Sequence, residues 1–305
     1  VTIPDSVTSI GDSAFSLCSN LTSVTLPSGA IEIGEHAFSR TPWWENWLKN
    51  QGEFAVMNNM LLKYQGAGGA VTIPSGITHI GGGAFSGSDV TIVTIPSGVT
   101  SIGNSAFSGC YRLKSVTIPS SVRSIGHSAF MNCIALENIT IPEGVTSIGH
   151  SAFDDCTALK TATISNSVTE LGYRAFMGCT ELTSVSIGSG VTSIETALFE
   201  YCKQLASVAI PSSVTDIDQG AFKNCESLTD IYYGGTGAQW DAIQINKRDN
   251  EVLTSAAIHY NSPMPQQPQQ PAGTTASPTN DKLEVNGNAA NPTVYKINGS
   301  NYFKI

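Results

Sequence analysis

The chain has 305 residues, of which 41% are hydrophobic and 13% charged, and its formal net charge is -9. Phosphate binding needs a basic patch and the sequence contains none, so nucleic acid is excluded as an expected partner. No apolar run reaches the roughly 18 residues that a membrane-spanning helix needs, and we expect no membrane insertion by these residues.

One phenylalanine recurs at a fixed spacing through most of the chain. The residues that stand 23 apart are Phe107, Phe130, Phe153, Phe176, Phe199 and Phe222, each followed three positions later by a cysteine. A period in the twenties is typical of leucine-rich-repeat solenoids. We therefore predict a curved, strand-dominated solenoid of the α/β class over residues 1–260, with about ten rungs of ~23 residues. Short strands should line its concave face and 3₁₀ or extended turns its convex face.

The fullest repeat predicts which part of each rung forms a strand. Val116 and Ile118 alternate with small polar residues, the period-2 pattern of a half-buried strand. Pro119 should end this strand, because proline cannot donate a hydrogen bond to the sheet. A second, weaker extended segment is expected around Ile125, and Phe130 should then turn inward. Since no rung can bury its apolar side chains alone, the stacking of rungs must form the core.

Seven cysteines share one repeat position, and no C-x-x-C pair occurs. They are Cys18, Cys110, Cys133, Cys156, Cys179, Cys202 and Cys225. Rungs about 4.8 Å apart would permit disulfides, but side chains stacked in register hold their Cβ atoms slightly too far apart for relaxed geometry. Buried cysteine also acts as a small hydrophobe, so we favour free, buried thiols.

Residues 41–70 break the period and predict a variant rung with an insert. Thr41 can cap a helix whose first residue is Pro42, and Asn58-Asn59 predicts a hairpin turn. The helix carries Trp43, Trp44 and Trp47. Two interpretations stay open: an exposed platform for adhesion or sugar stacking, and a satellite core packed on the next rung. In the second interpretation Trp43 and Trp47 are buried on one face of the helix, and we then expect the Trp44 side chain to point in another direction.

The repeat fades after Leu228, and three further segments follow. Residues 232–260 should cap the solenoid with a short helix and a last strand. Residues 261–280 are rich in proline and glutamine, which predicts an extended linker. Residues 281–305 alternate like strands around two Asn-Gly turns and predict the start of a second, stalk-like domain. Because the chain opens inside a repeat, we expect it to be a piece of a longer protein.

The elements L-x-x-V-T-I-P, I-G-x-x-A-F and C-x-x-L resemble the consensus of BspA-like bacterial leucine-rich repeats across residues 1–260. This resemblance implies an extracellular protein, secreted or attached to the cell wall, that contacts a host or microbial surface protein or a glycan. The Trp-containing variant rung and the segment from Tyr232-Tyr233-Gly234-Gly235 to Trp240 also resemble features of family members from Gram-positive bacteria. Residues 281–305 are similar to the start of the copper amine oxidase N-terminal-like stalk domain, a surface spacer. That second resemblance implies no copper site.

The outward positions of the predicted strands form an almost uncharged polar surface. Its candidate ligand-contacting residues are Thr94, Thr117, Thr140, Thr163, Ser186 and Tyr232, in addition to the three tryptophans. Protein hot spots favour Trp, Tyr and Arg, so a tight protein ligand is poorly supported here. Two interpretations stay open: weak contact with a glycan or a surface, and hydroxyl residues that merely suit an exposed strand.

No residue pattern predicts catalysis, a cofactor or a metal site. His127 and His150 share one repeat position, so their rings should lie about 5 Å apart, but no third ligand has a fitting spacing. A nucleophile motif is also missing from the sequence. We expect a monomeric, non-catalytic adhesion or ligand-binding module. The alternatives are a structural spacer that binds nothing and the non-catalytic part of a surface enzyme.

Overall fold

A computed structural model describes residues 1–27, 29, 31–262, 278–279, 294–297 and 300–303. The chain divides into two compact units, Val1–Met264 and Pro265–Ile305. The first unit is a strand-dominated solenoid of about nine turns, which confirms the predicted fold class.

The strands of the first unit are short and occur at regular intervals. In chain order they are β1 (Ser9–Ile10), β2 (Glu32–Ile33), β3 (Phe54–Met57), β4 (Met60–Tyr64), β5 (Gly69–Thr72), β6 (His79–Ile80), β7 (Val90–Thr94), β8 (Ser101–Ile102), β9 (Ser115–Thr117), β10 (Ser124–Ile125), β11 (Asn138–Ile141), β12 (Ser147–Ile148), β13 (Thr161–Ile164), β14 (Glu170–Leu171), β15 (Ser184–Ser186), β16 (Ser193–Ile194), β17 (Ser207–Ile210), β18 (Asp216–Ile217), β19 (Asp230–Tyr233), β20 (Gln244–Ile245) and β21 (Ala257–Tyr260). The helices are α1 (Pro42–Lys49), α2 (Gly237–Asp241) and a 3₁₀ turn at Glu251–Thr254.

One strand of each full rung enters a parallel array, which we name the long-strand sheet. Its two hydrogen-bonded segments run β5-β7-β9 and β11-β13-β15-β17-β19-β21. The apolar residues at alternate positions point inward, as the burial of Val116 and Ile118 shows. Pro119 follows the end of β9, as predicted.

The second extended segment of each rung forms a short-strand sheet of two-residue parallel strands. It is continuous through β6-β8-β10-β12-β14 and resumes as β16-β18-β20. Gly172 lies so close to the preceding rung that an added Cβ would be 2.5 Å from the backbone nitrogen of His150. Glu195 stands in the place of that glycine in the next rung. The sheet is interrupted between β14 and β16, at the rung that carries Glu195, and it resumes one rung later although Asp218 stands at the same repeat position.

The third side of the solenoid consists of hydrogen-bonded turns, as the predicted architecture of each rung requires. Each full rung has two residues with positive φ, such as Ser128 (52°) and Asn132 (60°). These left-handed residues reverse the chain where a 3₁₀ helix would continue. The backbone N–H of Phe130 donates to the carbonyl of Ala152 in the next rung at 2.7 Å, so the turns also form a ladder.

The core contains a continuous column of aromatic rings, which we name the long aromatic stack. Its members are Tyr64, Phe85, Phe107, Phe130, Phe153, Phe176, Phe199 and Phe222. Neighbouring ring centroids lie between 4.8 Å for Phe85–Phe107 and 5.8 Å for Phe176–Phe199. All of these phenylalanines are fully buried.

The cysteine column reinforces the turns. All seven cysteines are free, as favoured, and six of them are buried. Each buried thiol donates to a phenylalanine carbonyl of the preceding rung, as Cys156 Sγ does to Phe130 at 3.2 Å. Cys18 is exposed, so the prediction of burial is wrong there.

A smaller N-terminal cluster packs apart from the main core. Its buried members are Ile3, Ile10, Leu21, Ile31, Ile33, Ala37, Phe38, Met60 and Leu62. Helix α1 borders it and begins as predicted, with Thr41 Oγ1 accepting from the backbone N–H of Trp44 at 3.2 Å. The predicted hairpin is also confirmed, since β3 and β4 pair antiparallel around Asn58 and Asn59.

The C-terminal cap is built from α2, the 3₁₀ turn and β21. Thr236 and Gln239 form a capping box at the start of α2, and Trp240 packs edge-on against Tyr233 with ring centroids 5.3 Å apart. The predicted short helix and last strand are therefore confirmed.

The described residues of the second unit form three antiparallel strands, β22 (Pro278–Thr279), β23 (Val294–Ile297) and β24 (Ser300–Phe303). Strands β23 and β24 flank one of the two predicted Asn-Gly turns. Residues 278–279, at the end of the predicted linker, form β22, and the linker boundary stays a prediction. Residues 263–277 of the predicted linker and most of the predicted stalk-like segment 281–305 lie outside the described residues.

Candidate functional site

The outward side chains of the long-strand sheet, here called the polar face, are paired in register within each of its two hydrogen-bonded segments. The main row reads Thr94, Thr117, Thr140, Thr163, Ser186, Ala209, Tyr232 and His259. The four threonines are exposed, and Ser186 and Tyr232 are half-buried. The structure therefore brings all six candidate residues of this face onto one surface.

A second row runs beside the first and is also built from small polar residues. It contains Ser115, Asn138, Thr161, Ser184, Ser207 and Asp230. Thr161 Oγ1 donates to Asn138 Oδ1 at 2.9 Å, so neighbouring side chains of this row fix one another. Asp230 is the first charged residue along either row.

The polar face ends in a cluster of three residues, which we name the C-terminal corner: Asp230, Tyr232 and His259. His259 Nε2 lies 2.7 Å from Asp230 Oδ1, and the Thr229 hydroxyl donates to Asp230 Oδ2 at 2.7 Å. The hydrogen bonds from His259 and then Thr229 lower the pKa of Asp230. The Tyr232 ring stacks on His259 with centroids 4.6 Å apart. The corner therefore combines an aromatic ring with a fixed carboxylate.

Sequence reasoning identified Tyr232 as a candidate but missed its partners. The strand Ala257–Tyr260 was predicted, and its alternation would have placed His259 on the same face as Tyr232. No pattern in the sequence gives the pairing of His259 with Asp230, which lie 29 positions apart and are separated by an irregular cap.

The three tryptophans of α1 form one cluster instead of dividing between two faces. Ring centroids lie 6.2 Å apart for Trp43–Trp47 and 5.2 Å apart for Trp44–Trp47. Trp43 also meets Phe38 edge-on at 4.8 Å. All three rings are half-buried and pack against the N-terminal cluster. The expectation that Trp44 would point elsewhere is therefore wrong, since Trp44 lies against Trp47.

The histidine pair lies on an exposed ladder of the short-strand side. The rings of His127 and His150 stack with centroids 4.7 Å apart, as expected, and Tyr173 stacks on His150 at 4.0 Å. His127 Nδ1 accepts from the backbone N–H of His150 at 2.9 Å, which uses the lone pair that a metal would need. Burial, followed by the charge of His127, lowers the pKa of His150. Among the described residues no group of three or more His, Cys, Asp or Glu side chains could hold a metal.

The buried thiols and the buried carboxylate have environments unsuited to nucleophilic chemistry. Burial raises the pKa of Cys225 to about 12 and the pKa of Cys156 well above its ordinary value, so the reactive thiolate is disfavoured. Asp154 is 8% exposed and lies in the interior of the turns. Burial and then the neighbouring Asp155 charge raise the pKa of Asp154 to about 6.

A cleft of about 310 Å³ opens elsewhere, along the first short strands. Isoleucines and glycine backbone, including Ile10, Ile33 and Ile80, form much of its lining. Its one aspartate, Asp12, already accepts a hydrogen bond from the backbone N–H of Glu35 at 2.7 Å. Ser9, His79, Ser101, Asn104 and Ser124 also line the cleft.

The repeated strands, aromatic stack and turn ladders define a leucine-rich-repeat solenoid. The sequence profile described as BspA type Leucine rich repeat region (6 copies) matches residues 1–114, 58–179 and 123–240, and the chain belongs to this family. No curated protein matches the chain. No helix among the described residues is long and apolar enough to cross a membrane.

Solved structures of bacterial leucine-rich-repeat proteins are similar to this chain. The T. pallidum Leucine Rich Repeat protein is 33% identical, with 55% of this chain and 82% of that chain covered and a TM-score of 0.52. A leucine rich cell surface protein from Faecalibacterium prausnitzii is 30% identical, with 80% and 81% covered and a TM-score of 0.34. A leucine-rich repeat protein from Eubacterium ventriosum is 25% identical, with 76% and 71% covered and a TM-score of 0.42.

Proposed function

We propose that this chain is a non-catalytic ligand-binding module on the outside of a bacterial cell, and that the polar face holds its ligand. The observation that carries the proposal is the in-register row of exposed hydroxyl side chains that ends in the C-terminal corner. An extracellular location, secreted or attached to the cell wall, is supported by the family and by the relative from Faecalibacterium prausnitzii described as a cell surface protein.

The mechanism follows from the rigidity of the polar face. Parallel backbone pairing fixes the spacing of the side chains before any ligand arrives, and small Thr and Ser side chains have little rotamer entropy to lose. A ligand therefore meets a surface that needs little ordering, which favours contact through many weak interactions.

The C-terminal corner contains a His–Asp pair, but its geometry does not favour catalysis. The hydroxyl that contacts Asp230 belongs to Thr229, and it donates to the carboxylate at 2.7 Å instead of to His259. A general base must be within hydrogen-bond reach of the nucleophile that it activates. The pair thus serves better to hold a carboxylate in place than to generate a nucleophile.

Binding of the 305-residue chain to immobilised oligosaccharides and extracellular-matrix proteins tests the proposal. We expect Thr140→Arg combined with Thr163→Arg to abolish binding, because both side chains project from the middle of the face. Thr146→Arg is the matched control, since the same repeat position already holds Arg123 one rung earlier. A chain that binds neither class of probe would instead be a spacer.

The tryptophans give a companion test of where the ligand is held. Because the three rings pack on one another and on the N-terminal cluster, we expect Trp44→Ala to leave binding unchanged. Loss of binding in this variant, with the Thr140→Arg and Thr163→Arg chain still active, would move the site to α1.

A further inference from the structure

The main row of the polar face changes in size where it reaches the C-terminal corner. Tyr232 has His259 stacked on one face of its ring. Its register partner on the other side is Ala209, and the residue before that in the row is Ser186. Rungs lie about 4.8 Å apart. Going back along the row from the Tyr232 ring, the next two side chains are therefore the methyl group of Ala209 and the hydroxymethyl group of Ser186, both much smaller than the ring. The ring face towards Ala209 therefore forms the wall of a step.

A carboxylate and a hydroxyl stand beside this step. Asp230 is two residues before Tyr232 in β19 and therefore on the same face, and its register partner is Ser207. His259 and Thr229 each use one hydrogen-bonding position of the carboxylate. A carboxylate offers about four lone-pair sites, so both oxygens keep acceptor capacity towards the step. We name the step and these two side chains the corner notch, formed by Ser207, Ala209, Asp230 and Tyr232.

We propose that the corner notch binds a pyranose unit of a neutral glycan, with the apolar face of the sugar ring on Tyr232 and its hydroxyls on Asp230 and Ser207. This inference rests on the proposed function and adds to it the class of ligand and the subsite. An aromatic ring face provides area for C–H groups, and an ionised carboxylate accepts from hydroxyl donors, which are the two surfaces that a pyranose presents.

The surroundings favour an uncharged sugar over a protein ligand. The rows leading to the notch are composed of Thr, Ser, Asn and Ala. They offer hydroxyls for further sugar units along the face but no Arg, Trp or deep apolar pocket of the kind on which protein hot spots depend. The one carboxylate of the notch is hydrogen-bonded to His259. An anionic glycan would be repelled by Asp230, and the residues that these rows place before the notch include no Lys or Arg to compensate.

The experiment measures binding of the 305-residue chain to immobilised neutral oligosaccharides that end in glucose, galactose, mannose or N-acetylglucosamine. We expect Tyr232→Ala to weaken binding at least about tenfold, which corresponds to about 1.4 kcal/mol, because the variant removes the ring face on which the sugar lies. Ala209→Tyr keeps every existing contact and fills the step, so it should abolish binding without loss of thermal stability. Tyr111→Ala, at an exposed tyrosine outside the strands, is the matched control and should bind normally.

Each outcome decides between the two proposals. Glycan binding that is lost in Tyr232→Ala and Ala209→Tyr but kept in Tyr111→Ala supports the notch. Glycan binding that is equal in all variants overturns the notch and leaves the proposed function standing. Capture of matrix proteins alone, blocked by Thr140→Arg with Thr163→Arg, also overturns the glycan assignment but not the function. A chain that binds none of the probes overturns both.

Discussion

The N-terminal cluster and the long aromatic stack use the same repeat residues but pack them differently. In the stack, Phe153 has a parallel ring on both sides, with centroids at 5.2 Å to Phe130 and 5.1 Å to Phe176. In the N-terminal region, Phe15 stacks on Phe38 at 5.3 Å and remains half-exposed. The same repeat residue therefore contributes a different amount to stability according to how many neighbouring rungs cover it.

The two regions meet at strand β4, and its alternation explains why they are separate. Met60 and Leu62 point into the N-terminal cluster, whereas Leu61 belongs to the main core. The ring of Phe38 contacts Trp43 of α1, and the long aromatic stack starts beyond the insert, at Tyr64. The insert thus replaces a rung-to-rung contact with a contact to a helix. Nearest-neighbour coupling in a solenoid makes such a junction a boundary between units of different stability.

The largest difference between the regions should come from removing one ring. Phe153→Ala is expected to cost about 3–5 kcal/mol of unfolding free energy, because the cavity opens between two stacked rings. Phe15→Ala should cost less than half of that, because its ring is half-exposed and stacks on one neighbour. Denaturant unfolding of both variants measures the difference. Equal losses would contradict the view that neighbours set the contribution of each ring.

Loss of the helix contact should affect the N-terminal region alone. Trp43→Ala removes a half-buried indole from Phe38, which should cost about 2 kcal/mol. Hydrogen exchange should speed up in residues 1–62 and stay unchanged around β11 to β19. The control is Asn46→Ala, on the exposed side of α1. Faster exchange along the whole solenoid would show that the two regions form one cooperative unit.

The long aromatic stack is bordered by one buried charge whose removal should be stabilising. The folded-state pKa of Asp154 is raised to about 6 from 3.8, so the folded chain binds more protons than the unfolded chain between those values. Its contribution to stability therefore falls as the pH rises through about 4 to 6. Asp154→Asn should stabilise the fold by about 1–2 kcal/mol at pH 8 and hardly at pH 4. Thermal unfolding across this range measures the gain, and Glu226→Gln at an exposed carboxylate is the control. A gain that does not depend on pH would argue against the charge of Asp154 as the cause.

The smallest expected effect on stability is the difference between removing a buried thiol and removing the exposed thiol of Cys18. Cys156→Ala leaves the Phe130 carbonyl without its thiol donor and should cost about 1 kcal/mol. Cys18→Ala should be within about 0.5 kcal/mol of the parent chain. A thiol reagent added to the folded chain should modify Cys18 and spare the six buried cysteines. Rapid labelling of Cys156 under native conditions would show that the turns open far more readily than their burial implies.

Much of the solenoid could be predicted because the same residue pattern recurs in each rung. The alternation of Val116 and Ile118 predicted the strand, and the spacing of Phe130 predicted the aromatic column. Thr41 with Pro42 predicted the start of α1. The left-handed residues could not be found in the same way, since Ser128, Arg174 and Tyr201 all adopt positive φ and share no residue type that marks the turn. The contacts of the neighbouring rungs hold them there.

The candidate surface was predictable in part. Alternation along the strands placed Thr117, Thr140 and Thr163 on one side, and the structure agrees. The C-terminal corner depends on strand β21 returning to pair with β19 after the cap. That return brings His259 to Asp230, and no spacing within the repeat encodes it.

By itself, the sequence determined the rung: which residues face inward, where each strand ends and which side chains form columns. These features depend on local alternation and on a period that recurs through most of the chain. Only the tertiary structure decided which copies of a column are covered, as Cys156 is and Cys18 is not, and which side chains meet at the corner. Burial and pairing arise from contacts between rungs, and those contacts differ at the insert and the cap even where the residues are the same.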